Sequence, residues 1–175
     1  DGRQLEIIAG DISDLDVVKE ALQGVDAVFH QAALVSVQAS VGSPAASFRN
    51  NTLGTFNIFE AARQSGVSKV VYASSAAVYG ANDNLPLKET EALDPLSPYA
   101  LDKMYAENLA RVYAHSYGVN SVGLRYFNVY GPRQSPDSDY SGVISLFMSQ
   151  MHDGKIATIF GDGAQTRDFI HVEDV

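Results

Sequence analysis

Five short apolar runs alternate with helical stretches along the 175 residues, and that alternation leaves few architectures open. "LEIIAG" (5–10) predicts a strand, and "DLDVVKEALQG" (14–24) a helix capped by Ser13 or Asp14 and stopped at Gly24. "DAVFHQAA" (26–33) predicts a strand that runs into a loop. "PAASFRNNTLGTFNIFEAARQSG" (44–66) predicts one long helix ending at Gly66, with Phe48, Leu53, Phe56, Phe59 and Ala62 as its apolar stripe. "KVVYASS" (69–75) predicts a buried strand, followed by a loop rich in Asn, Pro and Leu. A helix headed by Pro98 and Tyr99 and running to about Tyr117, a strand "SVGLRYF" (121–127), a Gly/Pro/Ser/Asp loop (131–139), a helix near 142–152 and a strand "KIATIFG" (155–161) follow. Strands apolar on both faces and separated by helices predict an α/β fold, a parallel sheet covered on both sides.

Composition narrows the class of function. With 46% hydrophobic residues the chain is able to bury a sizeable core. The formal charge of −9, with no basic run, argues against nucleic acid or an anionic membrane surface as partner, although a local pocket for an anionic small molecule is compatible with it. The absence of cysteine excludes disulfides and thiolate metal sites. His30 and His171 show no metal-ligand spacing, so no metal is assigned. No apolar run approaches the roughly 18 residues of a membrane-spanning helix, which together with the cysteine count points to a cytoplasmic protein.

The chemistry concentrates in "LSPYALDKMYAE" (96–107). Pro98 suits the first helical position, and Tyr99 and Lys103, four apart, share a helical face. In open α/β sheets ligands lie at the carboxyl ends of strands, where "KVVYASS" leaves Ser74 and Ser75. A phenol with pKa near 10 is a poor base at neutral pH, and a neighbouring ammonium favours phenolate. Serine, tyrosine and lysine converging on one crevice therefore form a plausible acid/base set. The same spacing also occurs on ordinary surface helices.

Ser75, then "YALDK" 24 residues later, then "LRYFNVYGPRQ" resemble, in order and over essentially the whole chain, the extended short-chain dehydrogenase/reductase family, and within it the nucleotide-sugar 4-epimerases. The resemblance implies a Rossmann-like doubly wound sheet and NAD as cofactor. It makes Tyr99 the catalytic base/acid, Lys103 the residue that lowers its pKa and holds the nicotinamide ribose, and Ser75 the partner of the sugar hydroxyl. It further assigns Asp11 and Ile12 to the adenine side, Gln31, Ala32 and Ala33 to the pyrophosphate turn, and Asn51 and Tyr126 to the cofactor. Some relatives carry a lysine where Val35 stands, so a variant phosphate environment is expected. For the substrate, a UDP-sugar, it nominates Ser36, Ser75, Asn128, Gly142, Val143 and Arg167, whose guanidinium fork suits a diphosphate; Arg49 reads as a surface charge. A homodimer is implied for the full-length protein.

A glycine-rich dinucleotide turn is nowhere in the 175 residues. In the strand order 3-2-1-4-5-6 the first run reads as the third strand. The expectation is thus a chain truncated at both ends, with a partial dinucleotide-binding domain over 1–130 and the start of a nucleotide-sugar region over 131–175. Three functions compete. A 4-epimerase needs only the Ser/Tyr/Lys set. A 4,6-dehydratase needs a further acid/base pair directly after the active-site hydroxyl, where this chain has Ala76 and Ala77; a uronate epimerase or decarboxylase is harder to separate. A non-catalytic dinucleotide-binding scaffold would not need Ser75, Tyr99 and Lys103 together.

Overall fold

The computed structural model describes residues 5–136, 138 and 142–175, so positions 137 and 139 of the expected 131–139 loop lie outside the described residues. Two compact units result, Asp1–Arg125 and Tyr126–Val175.

In the first unit helix α1 (Leu15–Ala21) starts at Asp14, whose carboxylate accepts from the Asp16 N–H at 3.0 Å and the Val17 N–H at 3.5 Å. Strand β1 (Val28–His30) follows, then α2 (Val37–Gly42), α3 (Pro44–Ser47), a π-helical turn (Phe48–Leu53) and α4 (Gly54–Ser65). Strand β2 (Lys69–Ser75) leads into a short 3-10 turn (Ala76–Tyr79), and α5 (Pro98–Tyr117) and β3 (Asn120–Tyr126) complete the series. The three strands lie in the order β1-β2-β3, with β1 and β2 parallel and Val28 opposite Val70, Phe29 opposite Val71 and His30 opposite Tyr72. This is the α/β, Rossmann-like class expected.

The core forms where α1, α4 and α5 cover the sheet: Val18, Leu22, Ile58, Phe59, Val67, Val70, Tyr72, Tyr113 and Val119 are all buried. Phe59, fully buried, meets Tyr72 and Tyr113 edge-on at 5.9 and 5.7 Å between centroids. Ala61, Ala62, Ala106 and Ala110, also buried in this cluster, bring α4 and α5 close. Ser97 caps α5 by accepting from the Ala100 N–H, Pro98 occupies its first turn, and Gly118 at φ 72° ends it.

The second unit is built on two short parallel strands, β4 (Asn128–Tyr130) and β5 (Phe169–His171), with helix α6 (Val143–His152) in the chain between them. Tyr130 packs edge-on against Phe169 and His171. Asn128 holds the pairing in place, its amide donating to the Asp168 carbonyl at 2.7 Å.

Several expectations need correction. Residues 5–10 form no strand: Leu5 and Ile7 are 84% and 82% exposed, and among the described residues no chain pairs with them. Residues 155–161 form none either, because their hydrogen bonds are local (Lys155 N–H to the Gln150 carbonyl, Gln165 amide to the Phe160 carbonyl) and Ile156 and Phe160 stay exposed. A strand is a ladder, and an apolar run without a partner is only a segment. The helix expected over 44–66 is α3, a π-turn and α4 in succession, and α2 is an additional helix that the serine- and alanine-bearing 37–42 stretch did not announce.

Candidate active site

Four elements of the first unit meet at the carboxyl end of β2. Along one face of α5, residues four apart meet three consecutive residues of that strand end. Lys103 Nζ donates to the Ala73 carbonyl at 2.7 Å. Glu107 accepts from the Ser74 hydroxyl at 2.5 Å. The Tyr99 phenol lies near enough to Ser75 for the serine to pull its pKa downward. Ser75 also turns the chain, its Oγ accepting the Ala77 N–H at 3.1 Å as the cap of the 3-10 turn. Tyr99, Lys103 and Ser75, predicted from sequence to converge, do so.

Burial dominates the electrostatics of the pair. Lys103 Nζ lies 5.7 Å from the Tyr99 ring centroid, yet the phenol is held above its ordinary pKa of 10. Burial is the larger cause, and Ser75 opposes it. Burial also pulls Lys103 down to about 8, with the neighbouring Asp102 charge opposing. Both side chains are nine-tenths or more buried, and burial sets the direction of the shift in each.

Sequence reasoning missed Glu107 and Arg125. Arg125 clasps Glu107 with two bonds of 2.8 and 2.7 Å, and its remaining nitrogen donates to Tyr79 Oη at 2.8 Å and to the Glu89 carbonyl at 3.0 Å. One guanidinium thereby ties α5, the 3-10 turn and the 80–97 loop together behind Ser74, and the pair holds the Glu107 carboxyl below its ordinary value despite burial. The signal was available: Glu107 extends the Tyr99–Lys103 row by one more step of four. Ser40, also missed, accepts the Tyr99 N–H at 3.1 Å and so steadies the head of α5.

The residues expected near a cofactor lie on neighbouring segments of the same unit. Asp11 is exposed, its carboxylate accepting from the Ser13 N–H at 2.8 Å and from Arg49 at 3.4 Å, and these bonds, led by that from Ser13, hold it below its ordinary value. The neighbouring Ile12 is anchored by Asn57, which donates to its carbonyl at 2.9 Å. Gly54 makes room for it, since a Cβ there would come within 2.5 Å of Ile12 Cδ1. After β1, Gln31 and Ala32 are exposed and Ala33 is half-buried, a small-residue turn open to a ligand. Asn51 is buried; its amide fastens Leu34, accepting that N–H at 2.8 Å and donating to that carbonyl at 3.0 Å. Ser36 caps α2. His30 is buried and hydrogen-bonded, with Nε2 2.9 Å from Thr55 Oγ1. An anionic acceptor, an open turn without bulky side chains and an ammonium beside a phenol are groups that suit the ribose hydroxyls, pyrophosphate and nicotinamide ribose of a dinucleotide.

In the second unit Asn128 lies at the start of β4, and Tyr126 ends β3. Gly142 forms the N-cap of α6, and Val143 is its first residue. Arg167 is exposed, with Nη1 on the Thr166 carbonyl at 2.7 Å. Among the described residues no cluster is fit to hold a metal ion, and no helix is long and apolar enough to cross a membrane.

The family model described as "NAD dependent epimerase/dehydratase family" matches residues 1–175. A putative UDP-glucose 4-epimerase of Methanocaldococcus jannaschii is 44% identical over 172 residues, 97% of this chain and 56% of that protein. The solved structure of the UDP-N-acetylglucosamine 4-epimerase of Methanobrevibacter ruminantium M1, in complex with UDP-N-acetylmuramic acid, superposes with a TM-score of 0.90 at 44% identity, over 94% of this chain and 53% of that one. A dTDP-glucose 4,6-dehydratase of Streptomyces antibioticus is 33% identical over 174 residues, 99% of this chain and 51% of the relative. The chain thus spans about half the length of the curated relatives it matches.

Proposed function

The chain belongs to the NAD-dependent epimerase/dehydratase family, and from that premise we propose that the protein carrying it interconverts the C4 epimers of a UDP-hexose through a 4-keto intermediate. The observation that carries this reading is the convergence of Tyr99, Lys103 and Ser75 on one strand end, with Ala76 and Ala77 in the turn that follows. Tyr99 takes the proton of the C4 hydroxyl and later returns it; Ser75 orients that hydroxyl. NAD⁺, when bound, would supply the acceptor and donor for the C4 hydride, the 4-keto sugar turning over between the two transfers. Lys103 keeps two of its three N–H donors beyond the Ala73 bond for the nicotinamide ribose, and its charge favours phenolate once the site is filled. Asp11 and Ile12 take the adenosine side, Gln31, Ala32 and Ala33 the pyrophosphate, with Asn51 and Tyr126 nearby. Asn128 and Arg167 grip the diphosphate of the UDP-sugar, with Gly142, Val143 and Ser36 as further contacts.

Elimination of water requires an acid and a base besides Tyr99, and alanine methyls move no protons, so the 4,6-dehydratase reading is the weaker one. The test is to incubate the whole protein with UDP-glucose, UDP-N-acetylglucosamine and UDP-glucuronate and follow the products by NMR. A C4 epimer of one of the two hexoses is expected. A 4-keto-6-deoxy product, or turnover of the glucuronate alone, overturns the assignment.

A further inference from the structure

Asp102 lies between Tyr99 and Lys103 in sequence but faces elsewhere. Asp102 is only 7% exposed, an expensive placement for a charge. Three side chains offset that cost, all from one short segment. Ser47 Oγ donates to Oδ2 at 2.6 Å, Thr52 Oγ1 to Oδ1 at 2.6 Å, and Asn51 Nδ2 to Oδ2 at 3.2 Å. Ser47, Asn51 and Thr52 are themselves buried.

A regular helix would not present these three donors together. Residues five apart on an α-helix diverge by about 140° around the axis. The turn from Phe48 to Leu53 is π-helical, closing i to i+5, and so brings Thr52 back round toward the side of the helix that carries Ser47 and Asn51. The widened turn and the buried carboxylate are therefore two halves of one arrangement. Asn51 extends it further, because the other contacts of the same amide hold both backbone groups of Leu34, directly after the small-residue turn.

We propose that Asp102 is a positioning residue: through the π-turn and Asn51 it sets the spacing between the 31–36 loop and the Tyr99/Lys103 turn of α5. Those two segments carry the pyrophosphate turn and the acid/base pair in the function proposed above, and the consequence for cofactor affinity rests on that reading. The clasp itself rests only on the hydrogen bonds.

The experiment compares Asp102→Asn, Thr52→Val and Tyr113→Phe with the unaltered whole protein. Asp102→Asn keeps the volume and removes the charge, whereas Thr52→Val removes one donor and leaves the carboxylate if the first variant fails to fold. Tyr113→Phe deletes a hydrogen bond to Glu60 toward the far end of α5 and controls for general loss of stability. Amide hydrogen exchange of Leu34 is the readout that needs no cofactor. A lost hydrogen bond to a charged group predicts roughly tenfold faster exchange in Asp102→Asn, about threefold in Thr52→Val, and no change in Tyr113→Phe. NAD affinity, measured by calorimetry, should fall about tenfold in Asp102→Asn and hold in Tyr113→Phe. Unchanged Leu34 exchange in whichever of Asp102→Asn and Thr52→Val folds, or an equal change in Tyr113→Phe, overturns the proposal. If exchange moves as expected and the unaltered protein binds no NAD, the clasp stands and the cofactor reading falls.

Discussion

At Tyr99, burial and the neighbouring Ser75 pull in opposite directions, and burial prevails. Burial holds the phenol above pKa 10 and lowers the neighbouring ammonium to about 8. If Tyr99 moves the proton, Tyr99→Phe should keep the ring's packing and lower turnover by roughly 10²–10⁴-fold, with the KM for the sugar nucleotide little changed. An unchanged kcat would remove Tyr99 from the mechanism. His30 offers a test of stability at the same scale. Burial is the main cause that lowers it to about 4 from an ordinary 6.5, with the Lys103 charge adding to it. The folded chain therefore takes up this proton later than the unfolded one. Its contribution to stability is fully present above pH 6.5 and is lost as the pH falls through about 4. Urea midpoints between pH 4 and 7 should show a slope of up to about 1.4 kcal/mol per pH unit from this group. His30→Gln, which preserves a partner for Thr55, should flatten that slope; an unaltered slope would assign it to other groups.

The β2–α5 seam is where elements become a site. Tyr99, Lys103 and Glu107 on one side and Ser75, Ala73 and Ser74 on the other form three rungs, and Arg125 of β3 closes the last. Glu107 and Arg125 have side chains only 16% and 20% exposed, so their pair is screened less than a surface one. Glu107→Gln should destabilise the chain by about 2 kcal/mol, the scale of hydrogen bonds to a charged group. Paired with Arg125→Met in a double-mutant cycle, it should show a coupling of about 1–3 kcal/mol in urea denaturation. Additive losses would mean that the pair carries no coupling. The row of four-spaced residues was legible in the sequence, because helical periodicity is local. The π-turn was not: its widening answers to Asp102, 50 residues away along the chain, and no window around Asn51 contains that partner.

Over the whole molecule, the apolar residues left at the surface say how this chain behaves alone. Leu5 and Ile7 are 84% and 82% exposed, and Phe29 on the edge strand β1 is 74% exposed. An unpaired edge with apolar side chains invites association. The 175-residue chain on its own should show a mass that rises with concentration in light scattering, against the repulsion of its −9 formal charge. A constant monomer mass would show that these residues are tolerated. The α/β class, a cap at Asp14, the stop at Gly66 and the shared helical face of Tyr99 and Lys103 were readable from residue types and spacing, whereas the choice of Ser75 as their partner came from the family resemblance. Each depends on neighbours within a few positions, or on a pattern that a fold of this class repeats. Tertiary structure settled the rest. It withheld strands from 5–10 and 155–161, whose apolar runs find no ladder partner among the described residues. It set the direction of the Tyr99 pKa, raised chiefly by burial, because desolvation depends on everything packed around a group. It also joined Asp102 to a turn far away in sequence, a bond that only folding brings within 2.6 Å.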